Sequence, residues 1–152
     1  MKLKLTFLTL GLVSILSCKK DDCPTPATTI IKTQEELLTA KTWKADEIRV
    51  QLSNGAAQYY KRGGSGNTAN YDSDSLKFST NNTGIYYSSG LQYTTIWNFI
   101  NTEKSKMTLI INYSTPLTIN LENVTLADTY FSYSQYVTSG VSYLASSRRL
   151  PN

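Results

Sequence analysis

The feature that most constrains the fold is a strict alternation of apolar and polar residues late in the chain. Between Pro116 and Val124 the alternation places Leu117, Ile119 and Leu121 on one face and Thr118, Asn120 and Glu122 on the other. Because successive side chains of a strand point to opposite faces of a sheet, this period predicts a β-strand with one buried face. Such a strand needs other strands to cover that face, which favours an all-β domain.

The same strand pattern recurs through most of the chain after Trp43. Residues there are mainly Tyr, Thr, Ile, Val, Ser and Asn, and turn residues interrupt them at intervals of about eight to twelve positions. Ahead of the strands, a capping box formed by Thr33 and Glu36 predicts one short helix that ends near Ala40. The predicted strands are Trp43–Leu52, Gln58–Lys61, Ser75–Ser79, Ile85–Tyr87, Gln92–Phe99, Met107–Tyr113, Pro116–Val124, Phe131–Tyr136 and Val141–Ala145.

Two architectures fit consecutive antiparallel strands joined by short turns in one domain of this size. The strands can close into a meander barrel, or they can fold over into a β-sandwich. Closure removes the exposed sheet edges that invite aggregation. We therefore predict a single antiparallel barrel of about eight strands with a short N-terminal helix, and a β-sandwich is the alternative.

The N-terminus has the regions of a secretion signal. Two lysines within Met1–Lys4 precede an apolar run that is too short to span a bilayer, since a transmembrane helix needs about 20 apolar residues. The two large residues before Ser17 do not fit an ordinary cleavage site, but Ser17 followed by Cys18 resembles the lipobox of bacterial lipoproteins. This resemblance implies removal of residues 1–17, acylation of Cys18 by chains such as palmitate, and stable attachment to a membrane.

A flexible tether is predicted over residues 18–32, which contain Pro24 and Pro26 and lack apolar periodicity. The tether begins with Lys19, Lys20, Asp21 and Asp22. A lysine-plus-acidic motif directly after the lipidated cysteine resembles the surface-export signal of Bacteroidetes-type lipoproteins, which implies an outer-membrane protein that faces the cell exterior. The other interpretation is that these charges keep the tether solvated. Residues 33–152 then form one domain, with the length of a single core.

Composition excludes several classes of function. The chain has no histidine and two cysteines, one of them the proposed lipidation site, so histidine-based triads and His/Cys metal sites are ruled out. The net charge of +4 includes Lys2 and Lys4 of the signal peptide, and without them 13 basic minus 11 acidic residues leave +2. This small excess does not indicate a nucleic-acid-binding protein.

The remaining candidate chemistry does not indicate an enzyme. The glycine-rich run Gly63–Asn67 lacks the lysine and helix of a phosphate-binding loop. Asp46 with Glu47, and Asp72 with Asp74, are close acidic pairs, but they lie in polar sequence and are interpreted as solvated charges. We therefore predict no catalytic residue, no metal and no cofactor.

Several segments resemble lipocalin-like lipoproteins in the same order along the chain. In that family a short helix leads into a tryptophan that opens the first strand and plugs the bottom of the barrel. The matching segments are Leu37–Lys44, Asp74–Phe78, Asn82–Tyr86 and Thr95–Phe99. The resemblance implies a barrel with one open end that can hold a small apolar or amphipathic molecule. It also implies that Trp43 is the plug and that Arg148 or Arg149 stacks on its ring.

Three hypotheses for function follow. In the first, the barrel binds a small amphipathic molecule, and Phe78, Tyr93, Trp97 and Phe99 face its cavity. In the second, a surface module binds a glycan or a protein through Tyr59, Tyr60, Tyr86 and Tyr87 outside a filled barrel. In the third, the protein is a structural or inhibitory subunit of the envelope without a ligand. A cavity with apolar walls separates the first hypothesis from the others.

Overall fold

The computed structural model describes residues 31–137 and 143–152, without the side chains of residues 136, 137, 143 and 144. The predicted signal peptide, Cys18 and the Lys19–Asp22 motif lie outside the described residues. No helix within the described ranges has the length and apolar character that crossing a bilayer requires.

The described part contains one helix followed by nine strands, and the strand predictions are confirmed. The elements are α1 (Gln34–Thr39), β1 (Thr42–Leu52), β2 (Ala57–Lys61), β3 (Ser75–Phe78), β4 (Thr83–Ser88), β5 (Leu91–Phe99), β6 (Met107–Ile111), β7 (Leu117–Ala127), β8 (Tyr130–Val137) and β9 (Tyr143–Pro151). The predicted last strand ended at Ala145, but β9 continues to Pro151, because polar residues there still follow the period of the sheet.

The strands close into an eight-stranded antiparallel barrel. Each strand from β3 to β8 pairs with the next, and β1 pairs with β3 at one edge and with β9 at the other. The closing pair runs from Trp43 opposite Pro151 to Leu52 opposite Tyr143. The barrel prediction is therefore confirmed, and the β-sandwich alternative is excluded by the β1–β9 pairing.

The ninth strand, β2, extends the wall beyond the short β3. The beginning of β1 pairs with β3 at Thr42–Lys44, and its later part pairs with β2 at Glu47–Gln51. The register of β1 against β9 shifts between Ala45 and Glu47, which leaves Asp46 at a bulge. The carboxylate of Asp46 is buried and accepts a 2.7 Å hydrogen bond from Lys61 of β2. A bulge bends its strand, which suits a strand that changes partners at this point.

Packed aromatic residues fill the end of the barrel that α1 covers. The predicted capping box of Thr33 and Glu36 starts α1, and the fully buried Leu38 of that helix accepts a 2.8 Å hydrogen bond at its carbonyl oxygen from Trp43 Nε1. The ring of Phe131 makes edge contacts with Trp43 at 5.8 Å and with Phe78 at 5.9 Å between centroids. This end of the barrel is therefore closed.

Candidate functional site: a cavity inside the barrel

A cavity of about 370 Å³ lies inside the barrel, away from the closed end. Its wall includes Leu52 at the end of β1 and Leu117 at the start of β7, which both lie far from α1 along their strands. Apolar side chains at alternate positions form much of the wall: Ile48 and Val50 on β1, Leu109 and Ile111 on β6, and Ile119 on β7. The size and the apolar lining are those of a pocket for a small molecule.

One polar region of the wall is built around the carboxylate of Asp74. Only 3% of Asp74 is exposed, and its two oxygens accept hydrogen bonds from Tyr86 Oη at 2.5 Å and from Ser88 Oγ at 3.0 Å. Burial, followed by the hydrogen bond to Asp74, raises the pKa of Tyr86, so the hydroxyl stays protonated and keeps donating. Both Asp74 and Tyr86 line the cavity.

A second polar region is the guanidinium of Arg149, on the inward face of β9. Only 4% of Arg149 is exposed, and it donates from Nε to Tyr133 Oη at 3.2 Å and from Nη1 to the carbonyl oxygen of Trp43 at 3.4 Å. Burial acts to lower the pKa of Arg149, but Tyr133, Tyr86 and Asp74 outweigh it, so the pKa lies above its ordinary value. The cavity therefore contains a permanent positive charge.

The aromatic residues that were predicted to face the cavity divide into two groups. Trp97 packs edge to face between Phe78 and Phe99, with centroids 5.7 and 5.9 Å away, and these three residues belong to the packed closed end instead of the cavity wall. Tyr93 contacts two tyrosines of the wall, Tyr86 at 6.4 Å and Tyr113 at 4.5 Å. The alternation identified the inward face but not the height of each residue along the barrel axis.

The tyrosines predicted for a binding surface lie on both faces of the sheet. Tyr60 and Tyr86 point inward, and their chain neighbours Tyr59 and Tyr87 point outward, because adjacent residues of a strand face opposite ways. Tyr60 is fully buried and donates a 2.7 Å hydrogen bond to Asp72. The outward Tyr59 lies under the guanidinium of Arg49 at 5.2 Å.

Arg148 or Arg149 was predicted to stack on the ring of Trp43, but each of them lies against the ring of a tyrosine. Arg149 reaches Trp43 through the backbone carbonyl, and its guanidinium lies 6.0 Å from the ring centroid of Tyr133. Arg148 points to the other face and lies 5.3 Å from the ring of Tyr130. Trp43 itself is fully buried in the closed end, where the family resemblance placed it.

Sequence reasoning missed the polar lining of the cavity. The interpretation of Asp46 and Asp74 as solvated charges was wrong, since 5% and 3% of them are exposed. Because their neighbours in the sequence are polar, both residues were expected to be exposed. In the structure, hydroxyl and ammonium donors from other strands form hydrogen bonds with their carboxylates. The available signal for Arg149 was its period-2 spacing from Ala145 and Ser147 on the last strand.

Comparisons with known proteins found no relative from which a function could be inferred. No known protein family matches the chain, and no curated protein or solved structure is significantly similar to it. Within the described ranges, no three acidic or cysteine side chains are grouped closely enough to hold a metal ion.

Proposed function

We propose that this protein is a lipid-anchored outer-membrane lipoprotein whose barrel binds a small apolar or amphipathic molecule. The observation that carries the proposal is the cavity of about 370 Å³ with apolar side chains on β1, β6 and β7. Small-molecule sites typically combine such walls with a few convergent polar groups, and Asp74, Tyr86 and Arg149 are groups of that kind. The lipocalin-like barrel is compatible with this function.

The anchor is proposed from the sequence. The lipobox-like Ser17–Cys18 supports acylation of Cys18, and the following Lys19–Asp22 motif supports display on the cell exterior. Metabolic labelling with radioactive palmitate tests the first point, because the wild-type chain should take up label and Cys18→Ala should not. Protease digestion of intact cells tests the second, since replacing Lys19–Asp22 by alanines should protect the domain.

The ligand-binding proposal is tested by mass spectrometry of the full chain, isolated from its own membranes in lipid nanodiscs. A small molecule should co-purify with the wild type. Leu109→Trp should remove it, because Leu109 lines the cavity and a larger side chain fills the space. Ile110→Trp is the matched control, because residue 110 points to the outer face of the same strand and its replacement should leave the molecule bound.

The outcome that contradicts ligand binding is equally specific. If no mass beyond that of empty nanodiscs accompanies the wild type, or if the same mass accompanies Leu109→Trp, the cavity does not hold the ligand. The first result would favour a structural or inhibitory subunit without a ligand, and the second would favour binding on the outer surface. The glycan-binding alternative receives less support from the geometry, because Tyr59 and Tyr60 face opposite sides of the sheet and cannot form one platform.

A further inference from the structure

The cavity contains a buried cation that has no ion-pair partner within the described residues. No carboxylate of the described part lies within 4.0 Å of the Arg149 guanidinium. Of the two other buried charged residues in this part, Asp46 is paired with Lys61 at 2.7 Å and Asp74 accepts hydrogen bonds from Tyr86 and Ser88. A buried charge is costly unless an opposite charge or several hydrogen bonds compensate it. Tyr133, Tyr86 and Asp74 already favour the charged guanidinium, and the position of Arg149 on the cavity wall allows a bound molecule to add a direct ion pair.

The hydrogen bonds of Arg149 leave room for an acceptor. A guanidinium carries five N–H donors, and two of those of Arg149 are used, on Tyr133 Oη and on the carbonyl oxygen of Trp43. The other three have no acceptor among the described groups. Two parallel N–H donors of a guanidinium match the two oxygens of a carboxylate, which makes this pair shorter and stronger than neutral hydrogen bonds.

Asp74 limits the charge that such an acceptor can carry. Both of its oxygens already accept hydrogen bonds, from Tyr86 and Ser88, so the carboxylate is satisfied without Arg149. It nevertheless places a negative charge on the same cavity wall, where it interacts with the guanidinium over a longer distance. A ligand with one negative charge balances Arg149, whereas a phosphate monoester with a charge of about −1.5 to −2 adds repulsion from Asp74.

We infer that the barrel selects an amphipathic monocarboxylate, which binds with its carboxylate on Arg149 and its apolar chain against Ile48, Leu109 and Ile119. The inference rests on the proposed ligand-binding function and names the chemical class of the ligand. The volume of about 370 Å³ accommodates a chain of moderate length, since it equals roughly a dozen water-sized groups of about 30 Å³. The head group is thus directed into the barrel.

The test compares three probes with the same twelve-carbon chain: dodecanoate, dodecan-1-ol and dodecyl phosphate. Each probe carries ¹³C at the carbon next to the head group, and its binding to the full chain in nanodiscs is followed by NMR, with empty nanodiscs as the control for partition into lipid. Dodecanoate should bind about tenfold or more tightly than the alcohol, the difference that one charge-assisted hydrogen bond makes. Dodecyl phosphate should bind more weakly than dodecanoate.

Two variants should change the affinity for dodecanoate in opposite directions. Arg149→Met keeps an unbranched side chain as far as the position of Nε and removes the charge. The affinity for dodecanoate should therefore fall to that for dodecanol, and the affinity for dodecanol should not change. Asp74→Asn keeps an acceptor for Tyr86 and removes the repulsion, so dodecanoate should bind more tightly. Because loss of folding weakens every probe, the tightening in Asp74→Asn is a result that a purely structural role of these residues does not produce.

The outcomes separate this inference from the function on which it rests. If neither dodecanoate nor dodecanol binds above the empty nanodiscs, ligand binding itself fails. If the two bind equally, or if dodecyl phosphate binds most tightly, the barrel binds amphiphiles but the monocarboxylate inference is overturned. If Arg149→Met does not fold, the wild-type comparison of the three probes and the Asp74→Asn variant still decide the question.

Discussion

Tyr86 and Asp74, twelve residues apart in the chain, share a 2.5 Å hydrogen bond on the inner face of the barrel. The bond joins the segment that leads into β3 to the middle of β4, and Ser88 adds a second donor from the same strand. The carboxylate is buried, so its stability depends on these hydroxyls. This pair therefore stabilises the fold and also lines the cavity.

We expect Tyr86→Phe to lower the free energy of unfolding by about 1–3 kcal/mol, because it leaves one oxygen of a buried carboxylate without its donor. Urea denaturation measures the change. Tyr87→Phe is the matched control, because residue 87 points outward on the same strand, and its effect should stay within about 0.5 kcal/mol. Equal effects of the two variants would show that the hydroxyl of Tyr86 does not support Asp74.

Gly84→Ala should destabilise the barrel by about 1–3 kcal/mol through overpacking. A Cβ atom at residue 84 would lie 2.4 Å from the carbonyl oxygen of Lys77 and 2.7 Å from Thr95 Oγ1, and the first of these is backbone that cannot turn away. Gly66→Ala is the control, since a Cβ atom there meets nothing within 4 Å. Thermal unfolding that is unchanged in Gly84→Ala would contradict the close approach of β3 and β4.

Thr95→Val should leave the free energy of unfolding unchanged or increase it. Thr95 is 1% exposed, and among the described residues its Oγ1 is the one side-chain nitrogen or oxygen atom that is both fully inaccessible and without a hydrogen-bond partner. Valine has the same shape without the cost of burying a hydroxyl. The comparison variant is Thr94→Val, which removes the exposed hydroxyl that accepts from Asn112 Nδ2 at 3.0 Å and should have a small effect. A loss above about 1 kcal/mol in Thr95→Val would mean that the hydroxyl has a partner in solution.

Stability should fall at alkaline pH because of Tyr60. Burial, followed by the hydrogen bond to Asp72, raises the pKa of Tyr60 to about 12 from the ordinary tyrosine value of about 10. Between these two values the unfolded chain has lost the proton that the folded chain keeps, so the free energy of unfolding decreases as the pH rises from about 10 towards 12. Urea denaturation at pH 9, 10 and 11 measures the slope.

Tyr59, the neighbour of Tyr60 on the same strand, provides the control for this pH dependence. Tyr60→Phe should reduce the slope between pH 10 and 11, whereas Tyr59→Phe, on the outer face next to Arg49, should not. Tyr86 contributes in the same direction, since its pKa is also raised, so part of the slope should remain in Tyr60→Phe. An identical slope in the wild type and in Tyr60→Phe would contradict the assignment.

The sequence was sufficient to predict the strands because strands depend on local patterns, whereas the choice between a closed barrel and a β-sandwich depends on the pairing of β1 with β9. Alternation such as that of Leu117, Ile119 and Leu121 predicts which face of a strand is buried, and the capping residue Thr33 predicts where the helix begins. Height along the barrel axis depends on the stagger between strands, which no single strand encodes. Phe78 and Trp97 were therefore assigned to the cavity when they belong to the closed end.

The polar part of the site was beyond sequence reasoning for a related reason. Asp74 looks solvated beside Asp72, and it becomes a buried acceptor only because β4 brings Tyr86 and Ser88 against it. Arg149 follows Ser146, Ser147 and Arg148, and its burial depends on pairing between the last strand and the first. Contacts between distant segments set the environment of a charge, whereas composition sets only its presence.

The pairing of β1 with β9 also governs when the barrel can form. Thr42–Leu52 is synthesised early, but one of its edges stays unpaired until Tyr143–Pro151 emerges. Closing so long a loop is slow, because its entropy must be lost before the contacts form. A growing chain therefore has no complete cavity, and Arg149 does not line it, until Tyr143–Pro151 has paired with β1.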